Sequence, residues 1–145
     1  MATVGPCGFV IPAVHPRANE YFVTVEGEFL FGTTLETGLL TSGATSPEIG
    51  GKLEKFQGTL FPQGSVHYQI NNSSDCTAST FFSAFSSEDF GTGVILNSAP
   101  QGSGNGTAMG VASGDDLDGL RAVTPAHIVD IVDKCLARCG AGKSA

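Results

Sequence analysis

The sequence predicts an all-β fold, a barrel or sandwich, followed by one C-terminal helix. Three observations carry this. Short runs of β-branched and aromatic residues recur through residues 1–100. Clusters of Gly, Pro, Asn and Ser separate them. An apolar stripe with helical period appears only near the end. At 145 residues the chain is large enough for one core and one domain.

Taken in order, residues 21–25 (Tyr-Phe-Val-Thr-Val) are all strand formers, Glu26-Gly27 supplies a turn, and residues 28–31 follow as a second strand, which together read as a hairpin. Further strands are expected at 52–61, 66–71, 78–85 and 94–96, with turn clusters at 41–51, 62–65 and 71–75. Pro62 and Gly64 suit the second and fourth positions of a type I turn that feeds His67 into the next strand. The organisation read from this is a β-barrel over 1–100, a Gly/Ser-rich connector over 101–122 and a helix over 123–140. Thr124 is a suitable N-cap, Pro125 a first helical residue and Gly140 a C-terminal cap. Ile128, Ile131, Val132, Cys135, Leu136 and Cys139 share one helix face, which must pack against the barrel or a partner subunit.

Composition narrows the function. Charged residues make up 14% of the chain, against roughly 25% in an ordinary globular protein, and hydrophobic residues 41%, a balance opposite to that of a disordered chain. The net charge is -7 and no basic run exists, so neither nucleic acid nor an anionic membrane surface is an expected partner. No window approaches the roughly 18 apolar residues of a membrane-spanning helix. Residues 1–6 contain neither a basic residue nor an apolar stretch of signal-peptide length. Four cysteines and glycosylation sequons at Asn71, Asn72 and Asn105 point to an oxidising compartment. The expectation is a mature or trimmed form of an extracellular, secreted protein.

Chemistry is limited by the three histidines, His15, His67 and His127. His15 precedes a strand that begins at Glu20, and His67 opens another. Two imidazoles and a carboxylate suit manganese, iron, zinc or nickel. Spacing alone does not bring them together, and buried histidines are commonly satisfied by neighbours instead. His127, in the first helical turn and off the apolar stripe, reads as a surface residue. Arg17 could steer an anionic substrate such as a dicarboxylate, but an ion pair with Glu20 or Glu26 is the preferred reading. Residues 115–119 (Asp-Asp-Leu-Asp-Gly) lack the downstream Glu of a calcium loop and read as a solvated acidic turn. Phe81, Phe82, Phe85 and Phe90 read as barrel core, with one ring available to line a pocket. The residues alone leave the cysteine pairing open. Cys135 and Cys139, one helical turn apart, sit near the geometric limit for a mutual bridge.

Two motifs carry a resemblance. His15-Pro16-Arg17-Ala18, Glu20 and Gly27 fall in register with the pattern H-x-H-P-R-A-x-E followed by six residues and Gly. Pro62, Gly64, His67 and Asn71 meet P-x-G-x-x-H-x-x-x-N. Over residues 5–90 the chain resembles the cupins, most closely their germin and fungal spherulin-like members. The resemblance implies a double-stranded β-helix, or jelly-roll, with a metal at the barrel mouth held by His15, Glu20 and His67. It implies manganese as the first choice of metal, iron, zinc or nickel as others, and oxidoreductase chemistry of the oxalate or superoxide type; Glu20 is the candidate catalytic residue. It also implies a small-molecule substrate, a homo-oligomer and a Cys7–Cys76 disulfide. Ala13 stands where the family's first histidine falls, and Phe56 where a glycine opens the second motif. Three outcomes follow: a two-His, one-carboxylate triad with open positions, a weakened metal site, or a metal-free pocket in which Glu20 does acid-base work. The rival function is a ligand-binding, carbohydrate-binding, storage or wall-associated protein without catalysis.

Overall fold

Alternation with period two builds the walls. In β3 (Glu20–Glu26), Glu20, Phe22 and Thr24 are buried while Tyr21 is exposed. The computed structural model describes residues 1–35, 48–94, 111–112, 121 and 124–140. The remaining elements are β1 (Ala2–Val4), β2 (Phe9–Val14), β4 (Phe29–Thr34), β5 (Glu48–Leu53), β6 (Gly58–Phe61), β7 (Val66–Ile70), β8 (Ser79–Phe85), β9 (Gly93–Val94), β10 (Val111–Ala112) and α1 (Ala126–Cys139). One antiparallel sheet has the order β1-β8-β3-β6. The other runs β10-β2-β7-β4-β5, with β9 also on β2. The acidic stretch 115–119 and the sequon at Asn105 lie outside the described residues.

The chain changes sheet at nearly every connection, as a jelly-roll does. Among described neighbours in sequence only β4 and β5 pair with each other. The hairpin expected at 21–31 is therefore corrected. Both strands exist, but β3 pairs with β6 and β8, whereas β4 pairs with β5 and β7. Gly27, at φ +76, turns the corner between sheets, and a Cβ there would strike the Ser79 side chain. The strand expected over 52–61 is likewise two, β5 and β6, in different sheets. They are separated by a turn in which Phe56 takes φ +65 and the Gln57 N–H donates to the Glu54 carbonyl at 2.9 Å. At 62–65 the glycine sits one position earlier than expected. The Ser65 N–H donates to the Pro62 carbonyl at 3.0 Å, so Gly64 holds the third position at φ +79, which a type I turn does not require.

Val4, Val10, Phe22, Phe29, Leu53, Phe61 and Phe81 fill the space between the sheets, with Phe22 stacked on Phe81 at 4.7 Å. A second cluster forms outside the barrel, where Phe9, Tyr68 and Ile70 meet Ile128 and Val132 of α1. The helical stripe thus packs against the barrel, and β2 and β7 are covered on both faces. Gly140 closes α1 in the left-handed region as expected. Its N-terminus lies one residue later than expected, with Pro125 as N-cap and no side-chain cap bond. The buried Thr124 hydroxyl has no partner.

Two disulfides fasten α1, and neither is Cys7–Cys76. Cys7 bonds to Cys135 and Cys76 to Cys139, each with Cα atoms 5.5 Å apart. Cys7 and Cys76 belong to two loops tied to the segment around Asn71, and both have positive φ (60° and 54°). A helix docked beside these loops offers each a sulfur from successive turns, so helix docking decides the pairing. Asn71 is the pin of this region. It is fully buried, and its Nδ2 donates to the carbonyls of Val4, Gly5 and Thr77 while its Oδ1 accepts from Ser73 N and Ser79 Oγ. A glycan on Asn71 is incompatible with that packing. Peptide mapping without reduction is expected to return Cys7–Cys135 and Cys76–Cys139, and a Cys7–Cys76 peptide would overturn the pairing. Replacing Cys7 and Cys135 together by Ala should lower stability by about 2–5 kcal/mol, read from the denaturant midpoint.

Candidate metal centre at the barrel mouth

Three elements converge on one carboxylate. His15 directly follows β2, Glu20 opens β3 and His67 is the second residue of β7. All three are at least nine-tenths buried. Glu20 Oε2 lies 3.0 Å from His15 Nε2 and 3.0 Å from His67 Nε2. Ser83 Oγ donates to Glu20 Oε1 at 2.5 Å. The loops that precede these residues clamp one another. The Gly64 N–H donates to the His15 carbonyl at 3.0 Å, Gln63 Nε2 to the Pro16 carbonyl at 2.8 Å and the Gln63 N–H to Asn19 Oδ1 at 2.8 Å. The turn of the second motif is thereby built onto the first.

The outer nitrogens fix the inner ones. His15 Nδ1 lies 2.8 Å from the Gly91 carbonyl, and His67 Nδ1 lies 3.1 Å from the Ser65 carbonyl. A carbonyl only accepts, so each Nδ1 carries a hydrogen; each Nε2 then faces Glu20, donating to it when the ring is protonated and offering a lone pair inward when the ring is neutral. Aromatic rings hold the orientation. Phe61 stacks on His67 at 4.4 Å, and Phe85 and Phe90 meet the His15 ring edge-on. The three ligand atoms lie within 4.8 Å of one another, so this donor set fits a divalent cation.

The expected His15, Glu20 and His67 are thus brought together. Ala13 pairs with His67 across β2 and β7 and lines the same cavity with no donor to offer. Two other residues escaped the reading of the sequence. Gln69 lies two positions after His67, on the same strand face, and is 1% exposed with no partner for its Nε2. Period-two spacing from His67 is the signal that could have found it. Thr92, also lining the cavity, brings its Oγ1 to 3.3 Å from His15 Nδ1. The cavity amounts to about 20 Å³, room for little more than one water molecule.

Other expected residues lie elsewhere. Arg17 is exposed and pairs with Asp89 at 2.6 Å, not with Glu20 or Glu26. The reason is topological, because the loop after β8 passes beside residue 17, and the Arg17 N–H donates to the Phe90 carbonyl. His127 is half-exposed and joins Glu48 at 3.0 Å. Of the phenylalanines, Phe81 is core, Phe82 faces out of the barrel, and Phe85 and Phe90 support His15.

Burial works against charge on Glu20, yet hydrogen bonds from His15, His67 and Ser83, with the charge of His67, outweigh it and hold the carboxyl at about 2 instead of 4.5. Burial also works against a charged His15, and the bonds to Glu20 and Gly91 with the charge of Glu20 outweigh it, so its pKa lies above 6.5. Glu20 therefore stabilises the fold fully above pH 4.5 and loses that contribution as the pH falls towards 2. His15 contributes fully below pH 6.5 and loses its contribution as the pH rises through the folded value. Metal-free protein should show its highest melting temperature between pH 4.5 and 6.5. Glu20→Gln should flatten both arms of the profile, and a parent profile without these arms would contradict the coupling.

Comparison with known proteins places this geometry. The family model described as Cupin matches residues 1–106. Spherulin-1A of Physarum polycephalum is 30% identical over 136 residues, covering 92% of this chain and 52% of the relative. Germin-like protein 9-1 of Oryza sativa subsp. japonica is 38% identical over 93 residues, covering 64% of this chain and 34% of the relative. The chain spans about half the length of the spherulins it matches. Among solved structures, an oxalate oxidase superposes with a TM-score of 0.57 at 20% identity, over 97% of this chain and 62% of that one, which is a likeness of fold. The two motifs, the jelly-roll that carries them and these relatives agree: the chain belongs to the cupin family, with the germin- and spherulin-like members.

Proposed function

We propose that the chain is a secreted cupin that holds a divalent metal, manganese first, between His15, Glu20 and His67, and that it acts there as an oxidoreductase on a very small oxygen-bearing substrate. The observation that carries the reading is the pair of Nδ1 bonds to Gly91 and Ser65, which turn two imidazole lone pairs and one carboxylate towards a common point. A bound manganese or iron would supply one-electron and Lewis-acid chemistry that no side chain here supplies. The chain's own residues do the rest. Glu20, ionised well below neutral pH, provides the anionic ligand and the proton-accepting oxygen. Gln69 offers an amide donor to an oxygen atom in the cavity. Val10, Ala13, Phe81 and Val94 wall the cavity with apolar surface and keep bulk water out. A volume of about 20 Å³ favours superoxide over oxalate as the substrate.

Secretion belongs to the same reading, supported by the two disulfides. No helix among the described residues is long and apolar enough to cross a membrane. Of the overlapping sequons, Asn72 is the one proposed to carry a glycan, since Asn71 is fully buried. Association of copies is supported by Tyr21, Leu60 and Phe82, which share the outer face of the β1-β8-β3-β6 sheet and are each about half exposed. A second reading, a metal-free ligand pocket, is favoured by one feature. Both Nε2 atoms lie within hydrogen-bond distance of Glu20, so a shared proton can also satisfy the cluster.

Metal analysis separates the two readings. Stoichiometric manganese or iron in purified protein, lost in His67→Ala, supports the first, and protein that neither retains nor takes up metal supports the second. Ala13→His adds an imidazole beside His67 on the cavity wall. It should raise manganese affinity by more than about tenfold, measured by calorimetry at fixed pH because protons compete for the ligands. A folded variant that binds manganese no better would favour the metal-free pocket.

A further inference from the structure

A second cavity lies outside the barrel, between the first turn of α1 and the outer face of β4, β5 and β7. At about 170 Å³ it is much larger than the cavity beside Glu20. Pro12, Val66, Pro125 and Ile128 give it apolar walls. One end carries three titratable groups that the proposed metal chemistry does not use. Tyr68 Oη donates to Glu48 Oε1 at 2.8 Å, and His127 Nε2 lies 3.0 Å from Glu48 Oε2. The Tyr68 and His127 rings meet edge-to-face at 5.6 Å. Gly32 fixes the tyrosine, since a Cβ at that position would strike its ring.

Glu48 supplies the carboxylate at this end. Burial, the Glu48 bond and the Glu48 charge all raise the Tyr68 pKa, so the phenol stays protonated and serves as a donor. Glu48 remains the acceptor at the centre. Each carboxylate oxygen takes more than one hydrogen bond, and among the described residues each has one partner, so capacity remains on both. Neither Lys nor Arg is among the residues lining the cavity. An apolar space of about 150 Å³ is enough to take a benzene-sized ring in a protein interior.

From this combination we propose that the cavity binds a small primary amine with a single-ring or short-alkyl body. The ammonium bonds Glu48 beside the Tyr68 ring, and the body packs between Pro12, Val66, Pro125 and Ile128. An ammonium next to a carboxylate and an aromatic face gains both charge-assisted bonding and cation-π attraction. A carboxylate ligand of the same shape would meet Glu48 as a like charge. The site is independent of the barrel mouth and stands whether or not a metal binds there.

Benzylamine, benzyl alcohol and benzoate are the probes, titrated into the disulfide-intact chain by calorimetry and by NMR of the Ile128 methyls and Tyr68 ring. Benzylamine should bind saturably and shift Ile128 and Tyr68 but not Val10. Benzyl alcohol should bind at least about tenfold more weakly and benzoate more weakly still. Glu48→Gln should remove the preference for the amine, and Val66→Phe should abolish binding by filling the space. Absence of saturable binding, or shifts at Val10 in place of Ile128, overturns the proposal. So does amine preference that survives Glu48→Gln. The resonance shifts in the parent protein decide the matter even if Val66→Phe does not fold.

Discussion

One buried carboxylate organises the barrel mouth. An ionised Glu20 at 4% exposure is costly unless its oxygens find donors, and the fold provides three: two imidazoles and the Ser83 hydroxyl. Those donors come from the end of β2, from β7 and from β8, so the charge can be buried only when both sheets are in register. Register is the property that a jelly-roll, with so few local hairpins, has least means to fix locally. The clamp between Gly64, Gln63 and the segment from His15 to Asn19 acts in the same direction, because it orders the two histidine-bearing loops before either ring is placed.

The opposite side of the same sheet is secured by different means. Strand β7 presents His67 and Gln69 inward and Tyr68 and Ile70 outward, β2 adds Val10 inward and Phe9 outward, and the outward face would be wet without α1. The helix supplies Ile128 and Val132 to cover it, and two disulfides hold it there from the N-terminal loop and the loop before β8. Asn71, the last residue of the second motif, then ties both loops to one another through five hydrogen bonds. The motif histidine and the motif asparagine thus do separate jobs four residues apart. One serves the cavity and the other keeps the sheet beneath it closed.

What the sequence disclosed, and what it withheld, follows from the range of each interaction. Strand-forming runs such as 21–25 and 66–70 are local preferences and were legible, as was the convergence implied by the two motifs. Sheet assignment was not, because residues 20–34 satisfy the local hairpin rule although the chain crosses between sheets at Gly27. The disulfides depend on where a helix far along the chain docks, which no spacing between Cys7 and Cys76 encodes. Arg17 found Asp89, seventy-two positions away, in place of the carboxylates nearby in sequence. Gln69 was within reach of the strand period, but an amide beside a histidine motif carries no chemical signature until its burial is known.

Ala13, which stands where the resembled motif pattern has its first histidine, and the unpartnered amide of Gln69 are best understood together. Leaving a buried donor unpaired costs about 1–3 kcal/mol, and the Nε2 of Gln69 is such a donor. It lines the same small cavity as Ala13, which offers no ligand atom. On the metal reading, three protein ligands leave coordination positions free, the condition under which a metal site meets substrate and not only protein. A substrate oxygen placed in that space would satisfy the amide that the fold leaves orphaned. Under the same reading, three protein ligands hold the ion less tightly than four would, and leave it a position that an oxygen-bearing molecule can occupy. Val10, Phe81 and Val94 line that space together with Ala13. On the metal reading, affinity for the ion and access to it are set against each other at a single position on β2.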